Sequence, residues 1–221
     1  MRAELWKALE YHGVTGLVQL ATAATGIAHW DIIGKAAGMP DYKMPGAYRD
    51  RMPVYSMCGW YYDNDDDLSR YRKSVEAAFE LGYRAIKIKV GRHSLEDDVR
   101  RVRLALDLAG KGRRVLADAN QVFNRNEALR RGADVVQPDN RRAGGVCEWL
   151  EIAAIAEAYG LELASHGGGS TNLNMLLVMP NAIYMETGGP QKMIDGEVPA
   201  PEAPGMSSEV SKGQIAKHKI G

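Results

Sequence analysis

Ala85-Ile86-Lys87-Ile88-Lys89-Val90 and Val115-Leu116-Ala117-Asp118-Ala119-Asn120 are the two segments on which the reading of this chain turns. Each is a short apolar run of strand length, and alternation puts Lys87 and Lys89 on one side of the first. Between them Ser94 and Asp97 have the spacing of a helix N-cap, and Val99, Val102 and Leu106 recur at helical steps. A strand, a helix and a second strand of this length predict a parallel pair with the helix packed outside it.

The rhythm continues both ways. Upstream, Val54-Tyr55-Ser56-Met57 reads as a strand, followed by a helix with Leu68, Tyr71, Val75, Ala78 and Leu81 on one face. Downstream come a short helix over Asn126–Arg131, a strand over Asp134–Asp139, a helix from Val146 to Tyr159, and strands at Leu161–Ser165 and Ala182–Met185 with a helix between them. The first forty residues read as helical, with a stripe of Leu17, Leu20, Ala24, Ile27, Trp30 and Ile33 that Gly38-Met39-Pro40 ends.

Composition excludes several classes. The 221 residues are 45% apolar and 25% charged, as in an ordinary globular protein. Lys plus Arg and Asp plus Glu are 28 each, so no global field favours nucleic acid or an anionic membrane. No stretch reaches the ~18 apolar residues of a membrane span, and Met1-Arg2-Ala3-Glu4 does not open a signal peptide. A cytoplasmic enzyme acting on a small molecule is expected. Cys58 and Cys147 are too few for a disulfide framework and read as small buried apolar residues.

The polar residues that interrupt this pattern gather at strand ends: Lys87, Lys89, Asp118, Asn120, Asp139, His166 and Glu186. In a (β/α)₈ barrel those ends build the active site. Singly, each has an ordinary explanation. Paired lysines on a strand are usually a solvated face, a strand-end Asp is often an N-cap, and His166 could be a loop residue. Gly167-Gly168-Gly169-Ser170 lacks a P-loop lysine and reads as a turn that lets backbone approach substrate. His12, His29, His93 and His218 have no partners at useful spacing.

Taken in order, these segments resemble the mandelate racemase/muconate lactonizing enzyme family of the enolase superfamily, and its acid-sugar dehydratases in particular. Lys87-Ile88-Lys89 is similar to the family's second-strand Lys-x-Lys, and Asp118-Ala119-Asn120 to its third-strand Asp-x-Asn. Val136-Gln137-Pro138-Asp139 with Arg142-Ala143-Gly144-Gly145 resembles the segment carrying the Asp of a His-Asp dyad. Ser165-His166 and Tyr184-Met185-Glu186 resemble the strands that carry the dyad His and the last-strand Glu. His29 to Lys35 resembles the last helix of the family's cap domain, and Asp195 to Met206 its C-terminal tail.

The resemblance implies an α/β fold, a TIM-type (β/α) barrel that is incomplete, with remnant helices of an N-terminal α+β cap domain. Residues 1–52 would be cap helices and linker, 53–190 the barrel, and 191–221 a tail returning to the cap. Two βα units are absent between Asn120 and Asp134, with a join at Arg130-Arg131. A complete barrel averages about 250 residues, so the deficit is roughly sixty. The complete enzyme is therefore expected to be longer than this chain, and the backbone is expected to break between Leu129 and Gly132.

By the same resemblance Asp118 is a Mg²⁺ ligand whose two companion carboxylates are missing, and Asn120 either supports the metal ligands from behind or touches substrate. Lys89 and His166 are bases on opposite faces of a substrate α-carbon, and Asp139 orients His166. Lys87 and Glu186 hold the substrate carboxylate. The implied activity is Mg²⁺-dependent removal of a proton α to a carboxylate, then loss of water from a sugar acid. A racemase or epimerase using 1,1-proton transfer is the alternative, and a catalytically inactive fragment is a third reading. A small carboxylate substrate and a homo-oligomer are expected partners.

Overall fold

A computed structural model of the chain describes residues 2–13, 15–124, 126–127, 132–207 and 212–217. Two helices lead in, α1 (Arg2–Leu9) and α2 (Gly16–Ala37). The barrel elements follow: β1 (Arg51–Met57), α3 (Ser69–Glu80), β2 (Ala85–Lys89), α4 (Leu95–Ala109), β3 (Arg114–Asp118), β4 (Val135–Val136), α5 (Val146–Ala158), β5 (Glu162–Ala164), α6 (Ser170–Leu176) and β6 (Ala182–Thr187). A short β7 (Glu197–Pro199) and α7 (Lys212–Lys217) lie in the tail.

The six barrel strands pair in the order β3-β2-β1-β6-β5-β4, all parallel, and β7 adds antiparallel to β1. The sheet curls. Arg114 of β3 donates to Glu162 of β5 at 3.2 Å and stacks on Tyr184 of β6 at 5.6 Å, although neither strand neighbours β3. Inside the curl, Tyr55, Ala85 and Ala164 form a small core with Leu116, Val135 and Tyr184. The larger core lies between strands and helices and includes Val54, Ile86, Ile88, Leu163, Trp149 and Leu176. The inner residues are those that alternation aims inward, with Ala85, Leu116 and Tyr55 one layer below Lys87, Asp118 and Met57. This is an open (β/α) barrel. Among the described residues β3 and β4 pair with nothing on their outer sides, whereas a closed barrel has no such edges.

Element boundaries have local causes. Ser94 Oγ accepts from the Asp97 N–H and starts α4. Asp65 starts α3 by accepting from the Arg70 and Tyr71 N–H groups. Gly38, at φ 68°, closes α2 in the left-handed conformation that glycine adopts most easily.

Three expectations need correction. The buried face of α2 is Ala23, Ile27, Trp30 and Gly34, while Leu17, Leu20 and Ile33 are exposed; apolar residues surround this helix, so periodicity could not choose a face. On α4 the buried residues are Arg101, Ala105 and Ala109, and Leu106 faces out. The strand expected over Asp134–Asp139 pairs only at Val135–Val136, and Pro138 has no N–H to extend the ladder. Arg130 and Arg131, the expected join, and the expected backbone break there lie outside the described residues, as does most of the short helix expected beside them. His218 is likewise outside them. Cys58 is buried as expected, and Cys147 is half-buried.

Candidate active site

The site residues read from the sequence lie in two linked groups: Lys87 and Glu186 within the C-terminal halves of β2 and β6, Lys89 and Asp118 at the ends of β2 and β3, and Asn120, Asp139 and His166 just beyond strand ends. The first is built on β2, β3 and β6. Lys87 donates to Glu186 through a short contact, to Gln137 Oε1 at 2.9 Å, and lies 3.1 Å from Asp118 Oδ2. Lys89 reaches the same Asp118 oxygen at 2.7 Å and Asn120 Oδ1 at 2.7 Å. Both lysines are about 95% buried, so these partners replace the water they have lost. Register explains the cluster: Lys87 pairs opposite Leu116 and Lys89 opposite Asp118.

Glu186 is ringed by donors. Beyond Lys87, its carboxylate accepts from Tyr55 Oη at 2.7 Å and from the Gly167 N–H at 2.8 Å. Burial alone would raise its pKa, but these contacts, Lys87 foremost, bring it below the ordinary glutamate value. Glu186 is therefore ionised and acts only as an acceptor. Tyr55 is pushed the other way, first by burial and then by the Glu186 charge, so it stays a neutral donor. Gln137 donates to the Tyr55 hydroxyl through a short contact and thereby links Lys87 to Tyr55.

Asp118 is also buried, which opposes charge, yet Lys89, the Asn120 N–H and Lys87 together lower its pKa to about 2. Asn120 and Gln121 follow with φ of 47° and 63°, a left-handed pair that turns the chain sharply away from the strand.

The second group is the dyad. His166 Nδ1 lies 2.8 Å from Asp139 Oδ2. Burial again works against the Asp139 charge, but Arg141, His166 and the backbone N–H groups of Arg141 and Arg142 hold its pKa at about 2. Asp139 thus combines the N-cap-like and the dyad readings in one carboxylate. Trp149 secures the segment by donating to Pro138 O at 3.1 Å.

The glycines after His166 allow a close backbone approach, since a Cβ on Gly168 would stand 2.8 Å from Glu186 O. They let the His166 loop lie against β6. Residues not singled out from sequence complete the site: Tyr55, whose inward place on β1 follows from alternation, and Trp60, whose ring lies 5.3 Å from Lys89 Nζ. A cleft of about 480 Å³ opens beside Lys89 and Asn120, walled by Trp60, Tyr61, Arg92 and Val122. Of the other described histidines, His29 bonds Thr25 O, His12 packs on Tyr11, and His93 packs on Tyr61 of the cleft wall.

Parallel strands curled so that two lysines, Asp118, Glu186 and the linked His166–Asp139 pair gather toward their C-terminal ends have the site placement of a (β/α) barrel enzyme. The sequence model of the enolase C-terminal domain-like family matches residues 70–135 and 130–214, well over half of the chain. The chain belongs to this family, the mandelate racemase/muconate lactonizing enzyme group of the enolase superfamily.

Among its relatives, the arabinonate dehydratase of Saccharolobus solfataricus is 31% identical over 129 residues, covering 58% of this chain and 34% of that enzyme. The 3,6-anhydro-alpha-L-galactonate cycloisomerase of Streptomyces coelicolor is 26% identical over 280 residues, 98% of this chain and 77% of that enzyme. The match to the first relative thus spans about a third of its length. The second alignment has 280 positions against about 217 residues of this chain (98% of 221), which leaves about 63 with no counterpart here. Crystalline L-talarate dehydratase from Polaromonas sp. JS666, complexed with Mg and L-glucarate, has the same fold, with a TM-score of 0.83 at 24% identity over 97% of this chain and 77% of that one.

Proposed function

We propose that this constellation removes the proton α to the carboxylate of a sugar acid and then eliminates the β-hydroxyl as water, a hydro-lyase reaction. What supports the reading most is that the His166–Asp139 dyad and the Lys87–Lys89 pair are joined through Glu186, which accepts from the Gly167 N–H beside His166 and pairs with Lys87. Lys89 takes the α-proton on Nζ. To do so it must first shed a proton, and Asp118 and Asn120 are the groups that hold that ammonium. Lys87, fixed by the ionised Glu186, meets the substrate carboxylate with its positive charge. His166, oriented by Asp139, protonates the leaving hydroxyl from the other face, so that water departs and leaves the 2,3-enol. The enol tautomerises, its hydroxyl proton lost to solvent and one gained at C3, to the 2-keto-3-deoxy acid.

Magnesium is the cofactor to which the family points, and it takes near-octahedral oxygen ligands. The donors present do not fit it. Among the described residues Asp118 is the one carboxylate on the expected metal side, its Oδ2 lies within 3.1 Å of both lysine ammoniums, and no group of three metal-binding side chains occurs among them. This observation favours a second reading, that the chain as it stands does not turn over.

Incubating the protein with a panel of sugar acids in D₂O, with and without Mg²⁺, decides between these readings. Deuterium at the α-carbon together with 2-keto acid supports the dehydratase. Exchange with epimerisation and no keto acid marks a racemase. No exchange with any acid, while Lys89→Met leaves the protein folded and unchanged in ligand binding, refutes the catalytic reading.

A further inference from the structure

Arg101 lies on the buried side of α4 and is 4% exposed, a place where a helix normally carries an apolar residue. Among the described residues no carboxylate pairs with it, and its Nε has no partner at all. Its Nη2 instead donates to three backbone carbonyls: Gly59 at 2.7 Å, Trp60 at 3.3 Å and Lys89 at 3.3 Å. The guanidinium is held between two rings, 4.3 Å from the Tyr61 centroid and 4.4 Å from that of Tyr71. Tyr71 in turn donates to Arg101 O at 3.0 Å, which locks helix, ring and cation together.

Burying a cation without a counter-ion is costly, and a leucine here would bury more apolar surface at no such cost. The three carbonyls reveal what the cation does. Two belong to the loop after β1 and the third to Lys89 itself. The Lys89 N–H also donates to Gly59 O, at 3.4 Å. Arg101 therefore ties the end of β2 to the loop that carries Trp60, and the Trp60 ring is what Lys89 Nζ faces at 5.3 Å. A flat, forked, stacking cation can do this, and a lysine ammonium, a point charge without the planar fork, can do only part of it.

We propose that Arg101 is a positioning residue for Lys89: it clamps the Lys89 backbone and the Trp60 wall into one unit, so that the Lys89 ammonium points into the barrel mouth. The inference rests on the assignment of Lys89 as a base, yet its test is independent of turnover. Lys87, two residues earlier on the same strand, is the internal control, because its contacts to Glu186, Gln137 and Asp118 do not involve Arg101.

The test is acetylation of the folded protein by acetic anhydride, with the Lys87 and Lys89 peptides quantified by mass spectrometry in wild type, Arg101→Lys and Arg101→Met. Expected is a rise in the Lys89-to-Lys87 labelling ratio of roughly five-fold in Arg101→Met, about what one lost buried hydrogen bond corresponds to, with a smaller rise in Arg101→Lys. Should Arg101→Met fail to fold, Arg101→Lys decides alone. An unchanged ratio, or Lys87 and Lys89 rising together, overturns the proposal, since either result makes Arg101 a general packing residue. In the D₂O assay the Met variant should slow Lys89-dependent exchange and leave His166-dependent exchange alone. If wild type shows no exchange, the catalytic reading falls and the labelling result still judges the clamp.

Discussion

Replacing Asp139 by Asn removes one negative charge and keeps the shape of the side chain. Asp139 accepts from Arg141 Nη2 at 3.2 Å, His166 Nδ1 lies 2.8 Å away, and two backbone N–H groups complete its shell. These contacts hold its pKa at about 2 against an ordinary 3.8. At 1.36 kcal/mol per pH unit this difference corresponds to roughly 2.4 kcal/mol of folding stability at neutral pH. The Arg141 side chain is 65% exposed, so solvent screens part of that interaction and about 1–2 kcal/mol is the better expectation. The sign follows from the depressed pKa. The stabilisation is complete above about pH 4 and disappears as the pH falls from there through 2, when the folded carboxylate finally takes a proton.

Asp118 and Glu186 also have depressed values, so wild-type stability alone is a mixture. The difference between wild type and Asp139→Asn isolates the one carboxylate. Urea unfolding at pH 7, 4.5, 3 and 2.5 should give a difference that is constant over the first two points and shrinks over the last two. A difference that stays constant to pH 2.5, or no loss at pH 7, would show that these contacts do not stabilise the charge and would refute the dyad geometry.

Three further outcomes are expected. Calorimetric titration with Mg²⁺ should show no saturable binding below roughly millimolar concentration, because one carboxylate shared by two ammoniums is a poor hard-cation site; a micromolar Kd would overturn the donor-set argument. If sugar acids exchange in D₂O, His166→Asn should abolish exchange from one configuration at the α-carbon and Lys89→Met from the other, each by roughly 10²–10⁴-fold; a variant that exchanges both at the wild-type rate removes its residue from the pair of bases. Trp149→Ala should cost about 3–5 kcal/mol in urea unfolding, since the ring is fully buried and its N–H holds Pro138 beside Asp139; a loss below 1 kcal/mol would mean that α5 does not anchor the dyad segment.

Much of the barrel was legible because parallel strands with helices outside leave a plain alternation in the chain. Lys87 and Lys89 could be placed on one side of β2 by counting, and β3 beside β2 by the helix between them. The helix faces were harder. On α2 apolar residues surround the axis, so periodicity offered no unique answer. On α4 Val102 packs against the core as its spacing suggests, but Val99 and Leu106 are exposed, and a cation held by carbonyls and tyrosine rings takes the place expected of an apolar residue. Tyr55 and Trp60 carry no signal of a site in the sequence, because an aromatic residue in a strand or loop has the pattern of core. Asp139 was expected at the end of a strand and instead lies beyond it, where Pro138 has ended the ladder and the turn at Arg141 and Arg142 points N–H groups at its carboxylate.

The site divides along the line where the barrel is open. The lysine network sits on β2, β3 and β6, and the dyad on the segments after β4 and β5, all held by neighbours that the six-stranded sheet retains. The strands next beyond β3 would complete the carboxylate set around Asp118 and cover the free edges of β3 and β4. Among the described residues nothing covers those edges: β3 ends in Asp118 on one of them, and β4 leads into the Asp139 segment on the other. Asp118 Oδ2 lies 3.1 Å from Lys87 Nζ and 2.7 Å from Lys89 Nζ, so the two ammoniums share one carboxylate oxygen. That arrangement satisfies every charge in the layer: two ammoniums, Asp118 and the ionised Glu186 balance. Lys89 Nζ is thus held by Asp118 and Asn120, and in the proposed reaction it must leave them before it can take a proton.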